Sequence, residues 1–248
     1  MKLLMTAILA FSLSAGTSTK AQNPDNKPVS TQSTELAEWI MKIVVDKGEQ
    51  NEKIKRRQVT YNKVVTKSDM GKNPPQIKET SVYEIFGRDE ESLELLKEKN
   101  GRPIRNAQPE KGKFNPNVIL LERYMFDLIK IDFINGRGYY MIAFKPKEPI
   151  DQLPFNDRMD EGINRAAGYL QIDMEKFYLV RMEGKLINKF SKALSIFEMK
   201  DFVLIFEQEE FEGVVVPKYM SLIYKYRVFW GDTHEKLEYV YNNRKFVP

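Results

Sequence analysis

The chain carries one histidine and no cysteine in 248 residues. Without cysteine there is no disulfide, no thiolate metal site and no thiol nucleophile. The single histidine, His234, sits in Gly231-Asp232-Thr233-His234-Glu235. That run reads as a hairpin turn, so His234 is expected to be a solvated turn residue and no catalytic base. Carboxylates cluster at Asp89-Glu90-Glu91, at Asp157, Asp160 and Glu161, and at Glu207, Glu209 and Glu210. A pair held in a cleft would suit glycoside hydrolysis. Each cluster falls at a strand end or in a polar loop, however, which predicts wet surface. Lys53, Lys55, Arg56 and Arg57 make a basic run at a helix-to-strand junction; it reads as a solvated face, secondarily as a contact for anionic lipid headgroups. Gly136-Arg137-Gly138 lacks the strand, Gly-rich loop and helix of a phosphate cradle and reads as a turn. No enzyme signature, metal site or cofactor site is expected.

The N-terminus has a different character. Met1 to Phe11 is apolar apart from Lys2, and small residues follow to Thr19-Lys20-Ala21. This is the pattern of a secretory signal with cleavage after Ala21. It is shorter than the roughly 20 apolar residues a spanning helix needs. Cleavage would remove Lys2 and Lys20 and leave the two charge signs nearly balanced, so the basic pI is no argument for nucleic acid. With no cysteine to acylate, the exported chain is not itself a lipoprotein. Residues 22–32 read as a flexible lead, and residues 33–248 as one domain, ample for a single core.

Ser33 or Thr34 is placed to cap a helix over residues 33–47. Leu36, Trp39, Ile40, Ile43 and Val44 recur on one face of it, and the stripe ends near Gly48. The period then changes to two. Strands are predicted at residues 56–66, 80–88, 92–98, 124–134, 139–145, 167–173, 178–186, 193–199, 202–208, 215–226 and 236–246. Asn100-Gly101 and Asn135-Gly136 are hairpin turns, Met174-Glu175-Lys176 is another, and Pro217 marks a bulge or edge. Residues 102–117 read as a surface loop and residues 118–123 as a short helical segment. There is no βαβ alternation, so parallel and dinucleotide folds are disfavoured.

Several strands are apolar on both faces, notably Phe202 to Phe206 and the stretch from Met125 to Ile134. A sheet with one wet face would alternate cleanly. Two architectures accommodate this: a sandwich with both faces filled, or a curved antiparallel sheet around the helix with an open greasy concavity. In the second, the candidate cavity residues are Trp39, Ile43, Ile129, Ile131, Phe133, Met141, Phe202, Leu204, Phe206, Leu222, Tyr224 and Tyr226, each in the role of apolar contact. Such a cavity suits acyl chains, each buried CH₂ contributing about 0.8 kcal/mol.

The stretch Tyr124–Lys147 (YMFDLIKIDFINGRGYYMIAFKPK) resembles the outer-membrane lipoprotein-sorting, or lipoprotein-carrier-like (LolA-like), proteins, in which a strand ends in an "nGrpay" turn and the next finishes in "f.Pk". Ala167–Gly184 (AGYLQIDMEKFYLVRMEG) is similar to their "aGtlwID...y.lvr.eg" hairpin, and Val216-Pro217 with Tyr219–Phe246 to their last strands. Tyr83–Ile104 also matches a strand and hairpin of large members. The segments 68–76 and 101–117 are additions to the classical carrier. The resemblance implies a mainly β fold: a half-open antiparallel barrel plugged on its concave face by the N-terminal helix and short helices. It further implies a periplasmic, non-catalytic monomer holding lipid or lipoprotein acyl chains, with a role in lipoprotein sorting. Relatives that sense envelope stress imply an alternative, an interaction protein docking a membrane-protein partner.

Overall fold

The computed structural model describes residues 29–88, 91–111, 120–148, 162–192, 197–229 and 231–247. The expected signal, residues 22–28 of the lead, and the carboxylates Asp89, Glu90, Asp157, Asp160 and Glu161 lie outside them. No described helix is long and apolar enough to cross a membrane.

One long helix, α1 (Val29–Gln58), opens the described chain. It starts before the expected cap; the Ser33 hydroxyl instead donates to the Asp127 carboxylate at 2.6 Å. It also runs through Gly48 for ten further residues. A single internal glycine costs about 1 kcal/mol, and the charges beyond Gly48 offset that cost. Glu52 pairs with Lys55 and Arg56 one turn on, and Lys55, Arg56 and Arg57 place positive charge at the helix C-terminus. The basic run is therefore the last turn of α1, partly neutralised rather than wholly solvated.

The strands follow as β1 (Val59–Asp69), β2 (Gln76–Arg88), β3 (Glu91–Lys99), β4 (Arg102–Pro103) and β5 (Glu110–Lys111). After the short helix α2 (Leu120–Arg123) come β6 (Tyr124–Ile134), β7 (Arg137–Pro146), β8 (Ala166–Asp173), β9 (Leu179–Leu186) and β10 (Phe190–Lys192). The chain closes with β11 (Phe197–Phe211), β12 (Val214–Val228) and β13 (Gly231–Phe246). All thirteen belong to one antiparallel sheet, ordered β4-β3-β2-β1-β13-β12-β11-β9-β8-β7-β6, with β10 on β11 and β5 on β3. The sheet does not close, and the sandwich alternative falls because all the described strands share one sheet. The Asn135-Gly136 hairpin forms as expected, both residues having positive φ (51° and 79°), which Asn and Gly tolerate. Three local expectations are corrected. Residues 102–117 contribute two short strands. The strands expected either side of residue 200 are one, β11, with a bulge at Met199–Asp201. His234 lies within β13 opposite Lys225, because the strand already begins at Gly231.

The sheet bows around α1. The helix comes close to β6 at one end of the sheet and to β12, β1 and β2 towards the other, while β7, β8, β9 and β11 stand further off. Side chains fill the gap. Ala37, Ile40, Met41 and Val44 of α1 meet Ile142, Phe144, Leu170, Leu179, Met182, Phe202, Leu204 and Phe206, all buried. At the far end Gly87 of β2 is pressed against the backbone of Arg56.

Candidate ligand-binding face

The core takes the side of α1 that carries Ala37, Ile40, Met41, Val44 and Val45. The expected stripe splits here. Ile40 and Val44 are inside, whereas Leu36 and Trp39 are 42% and 44% exposed on the flank, with Ile43 half-buried. The Trp39 ring meets Phe177 edge to face at 6.2 Å, and Phe177 in turn lies 6.0 Å from Tyr140.

From Tyr140 the apolar surface continues across β7 to β6, and a bulge makes this possible. At the start of β6 the even residues Tyr124 and Phe126 face the core. The register with β7 shifts between Leu128 and Lys130. Beyond the shift Ile131 stands opposite Tyr140 and Phe133 opposite Gly138. Cross-strand partners share a face, so the bulge turns Ile131 and Phe133 to the helix side. Phe133 and Met174 close over Gly138, where any Cβ would collide with the Met174 sulfur at 2.7 Å. Phe133 is nonetheless 71% exposed. Trp39, Phe177, Ile131 and Phe133 thus stand in one band at the rim between helix and sheet, joined beneath by Tyr140, which is itself buried.

The turn between β8 and β9 holds Phe177 in place. Asp173 is buried; its carboxylate accepts the Glu175 and Lys176 backbone N–H groups at 3.0 and 2.8 Å and the Arg137 guanidinium at 2.9 Å. The guanidinium's own pKa is raised, chiefly by the Asp173 charge. Phe177 itself has φ +54°, a conformation non-glycine residues adopt rarely.

The other expected cavity residues have different surroundings. Phe202, Leu204, Phe206 and Leu222 are packed shut beneath α1. Tyr224 and Tyr226 stack at 5.9 Å on the same face of β12, with Phe197 5.7 Å from Tyr226. Burial, and next the Glu235 charge, push the Tyr224 phenol well up, and its hydroxyl donates to Glu235 at 3.1 Å. Glu235 also meets Lys67 at 3.0 Å and Lys78 at 3.5 Å. Met141 lies opposite Lys130, on the face away from Tyr140 and the helix, and Ile129 is the bulged residue. Among the described acidic residues, Glu207 pairs with Arg181, Glu209 with Arg244 and Glu210 with Lys176, so no two of them share one site. The described residues hold no group of three or more Asp, Glu and His suited to a metal ion. Sequence reasoning missed Phe177, Tyr140 and Met174, whose place on this face depends on a turn and a register no single segment reveals.

Neither a protein-family model nor a curated protein matches the chain. Solved structures of similar fold do. One, described as an outer membrane lipoprotein-sorting protein domain from Vibrio parahaemolyticus, has a TM-score of 0.44 at 9% identity, over 86% of this chain and 93% of that one. A DUF1329 family protein from Desulfovibrio piger has a TM-score of 0.43 at 10% identity, over 85% and 92%. A LolA superfamily protein from Nitrosomonas europaea has a TM-score of 0.38 at 10% identity, over 86% and 94%. The chain is thus structurally similar to lipoprotein-sorting and LolA-superfamily domains, at low identity.

Proposed function

We propose that this protein is a non-catalytic periplasmic binding protein that holds an acyl chain of a lipid or lipoprotein against the Trp39–Phe177 band. The observation that carries the reading is the exposure of Trp39, Ile131 and Phe133 along the seam between helix and sheet, on either side of the half-buried Phe177 and the buried Tyr140. Contiguous exposed apolar surface of this kind marks a binding site in a soluble domain. The seam is elongated and has few directional groups, which suits a polymethylene chain. At about 0.8 kcal/mol per buried CH₂, a long chain gains on the order of 10 kcal/mol before ordering costs. The signal-like residues 1–21 support export, and a role in lipoprotein sorting accords with the sequence resemblance.

The test is native mass spectrometry with lipid extraction on protein recovered from a bacterial envelope, alongside titration with a fluorescent fatty acid. Acyl-lipid adducts and saturable probe binding, weakened by Trp39→Ala, are the expected results. Protein that carries no acyl species and leaves the probe unbound would overturn the reading.

A further inference from the structure

The two ends of the sheet are finished differently. At one end β3 has short strands along its outer edge, β4 opposite Glu98 and Lys99 and β5 opposite Leu93 and Glu94, with Pro103 in β4. At the other end stands β6, which among the described residues pairs with β7 alone. The start of α1 stands beside its first half, where Ser33 and Thr34 reach Asp127. The second half is apolar and open: Ile129, Ile131, Phe133 and Ile134 are all exposed, Phe133 the most. Residues 128–134 hold no proline or glycine, and a long apolar edge of this kind is a template for another strand.

The backbone of that half is aimed for pairing. The residues flanking a two-residue hairpin turn, here Ile134 and Arg137, exchange backbone hydrogen bonds, and every second pair beyond them does so too. Asp132 and Lys130 therefore bond to β7, whereas Ile131 and Phe133 direct N–H and C=O outward. The Phe133 N–H donates locally to the Asp132 carboxylate at 3.0 Å, so a joint would begin at Ile131. Two copies that pair this edge about a two-fold axis set one residue opposite its own counterpart, and charge decides which. Centring on Lys130 or on Asp132 puts like charges face to face. Centring on Ile131 puts Lys130 opposite Asp132 of the second copy, and Asp132 opposite its Lys130. No other centre between residues 128 and 134 sets unlike charges of β6 opposite each other. Lys130 and Asp132 already meet within one strand at 2.8 Å, so the four groups then alternate in sign around a square.

We infer that β6 pairs with β6 of a second copy of this chain, antiparallel about a two-fold axis at Ile131, joining the two sheets edge to edge. Phe133 then lies opposite Ile129 of the second copy, and the joint covers two of the most exposed apolar side chains of the strand. Ile131 and Phe133 keep their places on the helix side, so the bands of the two copies run into each other across the axis. This assembly differs from the monomer that the family resemblance implies, and it does not depend on what the band binds. A joint of about five residues a side is small beside the roughly 1,600 Å² of a stable interface, so the dimer is a weak one, with a dissociation constant of about 10–500 μM.

Sedimentation velocity of the whole protein, from about 10 μM to about 1 mM, tests it. The mass should rise with concentration and stop at that of two chains, since a two-fold joint closes on itself. Lys130→Asp and Asp132→Lys should each weaken association about tenfold or more, by setting like charges across the axis. Both side chains reach solvent, at 58% and 37% exposure, so neither change disturbs the core. The double variant with both substitutions, and an equimolar mixture of the two single variants, should each recover association, because both restore unlike charges across the axis. Protein that stays monomeric at about 1 mM overturns the proposal and leaves the edge to a strand of another protein. Association that both single variants retain, that neither the double variant nor the mixture recovers, or that grows beyond two chains, overturns the β6 joint.

Discussion

Trp39 on the flank of α1 and Phe177 at the end of the β8–β9 turn meet edge to face, their planes at 90° and centroids 6.2 Å apart. Residues 138 positions apart in the chain thereby join helix and sheet at a place still open to solvent. Such pairs contribute about 0.5–1.5 kcal/mol beyond their buried area. With Trp230 replaced by Phe, Trp39 becomes the sole indole. Its emission is expected to shift to the blue when an acyl ligand covers it. Phe177→Ala should weaken acyl binding about five- to tenfold and abolish most of that shift. Trp39 emission that stays constant under saturating ligand would count against the band as the contact surface.

The Asp173 carboxylate ties together three things: the β8–β9 turn, the Arg137 side chain from the neighbouring hairpin, and, through the turn, the position of Phe177. Asp173→Ala removes a buried carboxylate and leaves the two backbone N–H groups of a part-buried turn without their acceptor. A cost of about 1–3 kcal/mol in urea unfolding is expected. Arg137→Ala should cost under about 1 kcal/mol, because its side chain is half exposed and the ion pair is screened. Equal losses for the two variants would show that the ion pair, rather than the turn, does the stabilising.

How much of this was legible beforehand depends on whether the signal was local. Asn135-Gly136 dictates its own hairpin, and the β-rich runs between turn signals from β6 to β9 give the strands and their order. The apolar stripe of α1 predicted a helix packed on the sheet. Its length was not legible, because Gly48 looks like a stop and the Glu52 pairs that carry the helix onward matter only once it exists. The β6 bulge was hidden for another reason. Met125 to Ile134 is greasy on both parities, so nothing in the run says where the faces exchange. Phe202, Leu204, Phe206 and Leu222 are buried beneath α1, a cover that no feature of their own strands reveals.

Alkaline pH should expose the tyrosines of the concave face. Burial, then the Glu94 and Tyr83 charges, push the Tyr239 phenol from 10 up to about 12. Tyr241 and Tyr61, 5.8 Å apart, are raised as well, again chiefly by burial. Below pH 10 the phenol is neutral in both folded and unfolded chains, and the fold keeps its full stability. As the pH rises through 10 the unfolded chain ionises first, so stability is lost progressively up to about 12. For Tyr239 alone the loss is on the order of 3 kcal/mol. Tyrosinate absorbance and far-ultraviolet dichroism should therefore change together in this window, and Tyr239→Phe should move the alkaline midpoint upward. Full tyrosinate formation near pH 10 with the fold intact would contradict this burial.

The tightest contact between helix and sheet is at Gly87. A Cβ there would lie 1.4 Å from the Arg56 carbonyl oxygen and 2.4 Å from its carbon. Both are backbone atoms, so no rotamer change relieves the clash; the last turn of α1 must lift off β2 or the strand must shift. Either movement disturbs the neighbouring Glu52–Lys55 pair and the buried Tyr61. Gly87→Ala is expected to cost about 3 kcal/mol or more, a size reached only by severe local disruption. Gly136→Ala is the control. There a Cβ meets nothing within 4 Å, but φ is +79°, so only the left-handed conformation is penalised, at about 1–2 kcal/mol. Chemical denaturation of the two variants separates the causes. A Gly87 variant no less stable than the Gly136 variant would mean that α1 does not seat against β2, and that the helix is free to swing away from the sheet at its C-terminal end.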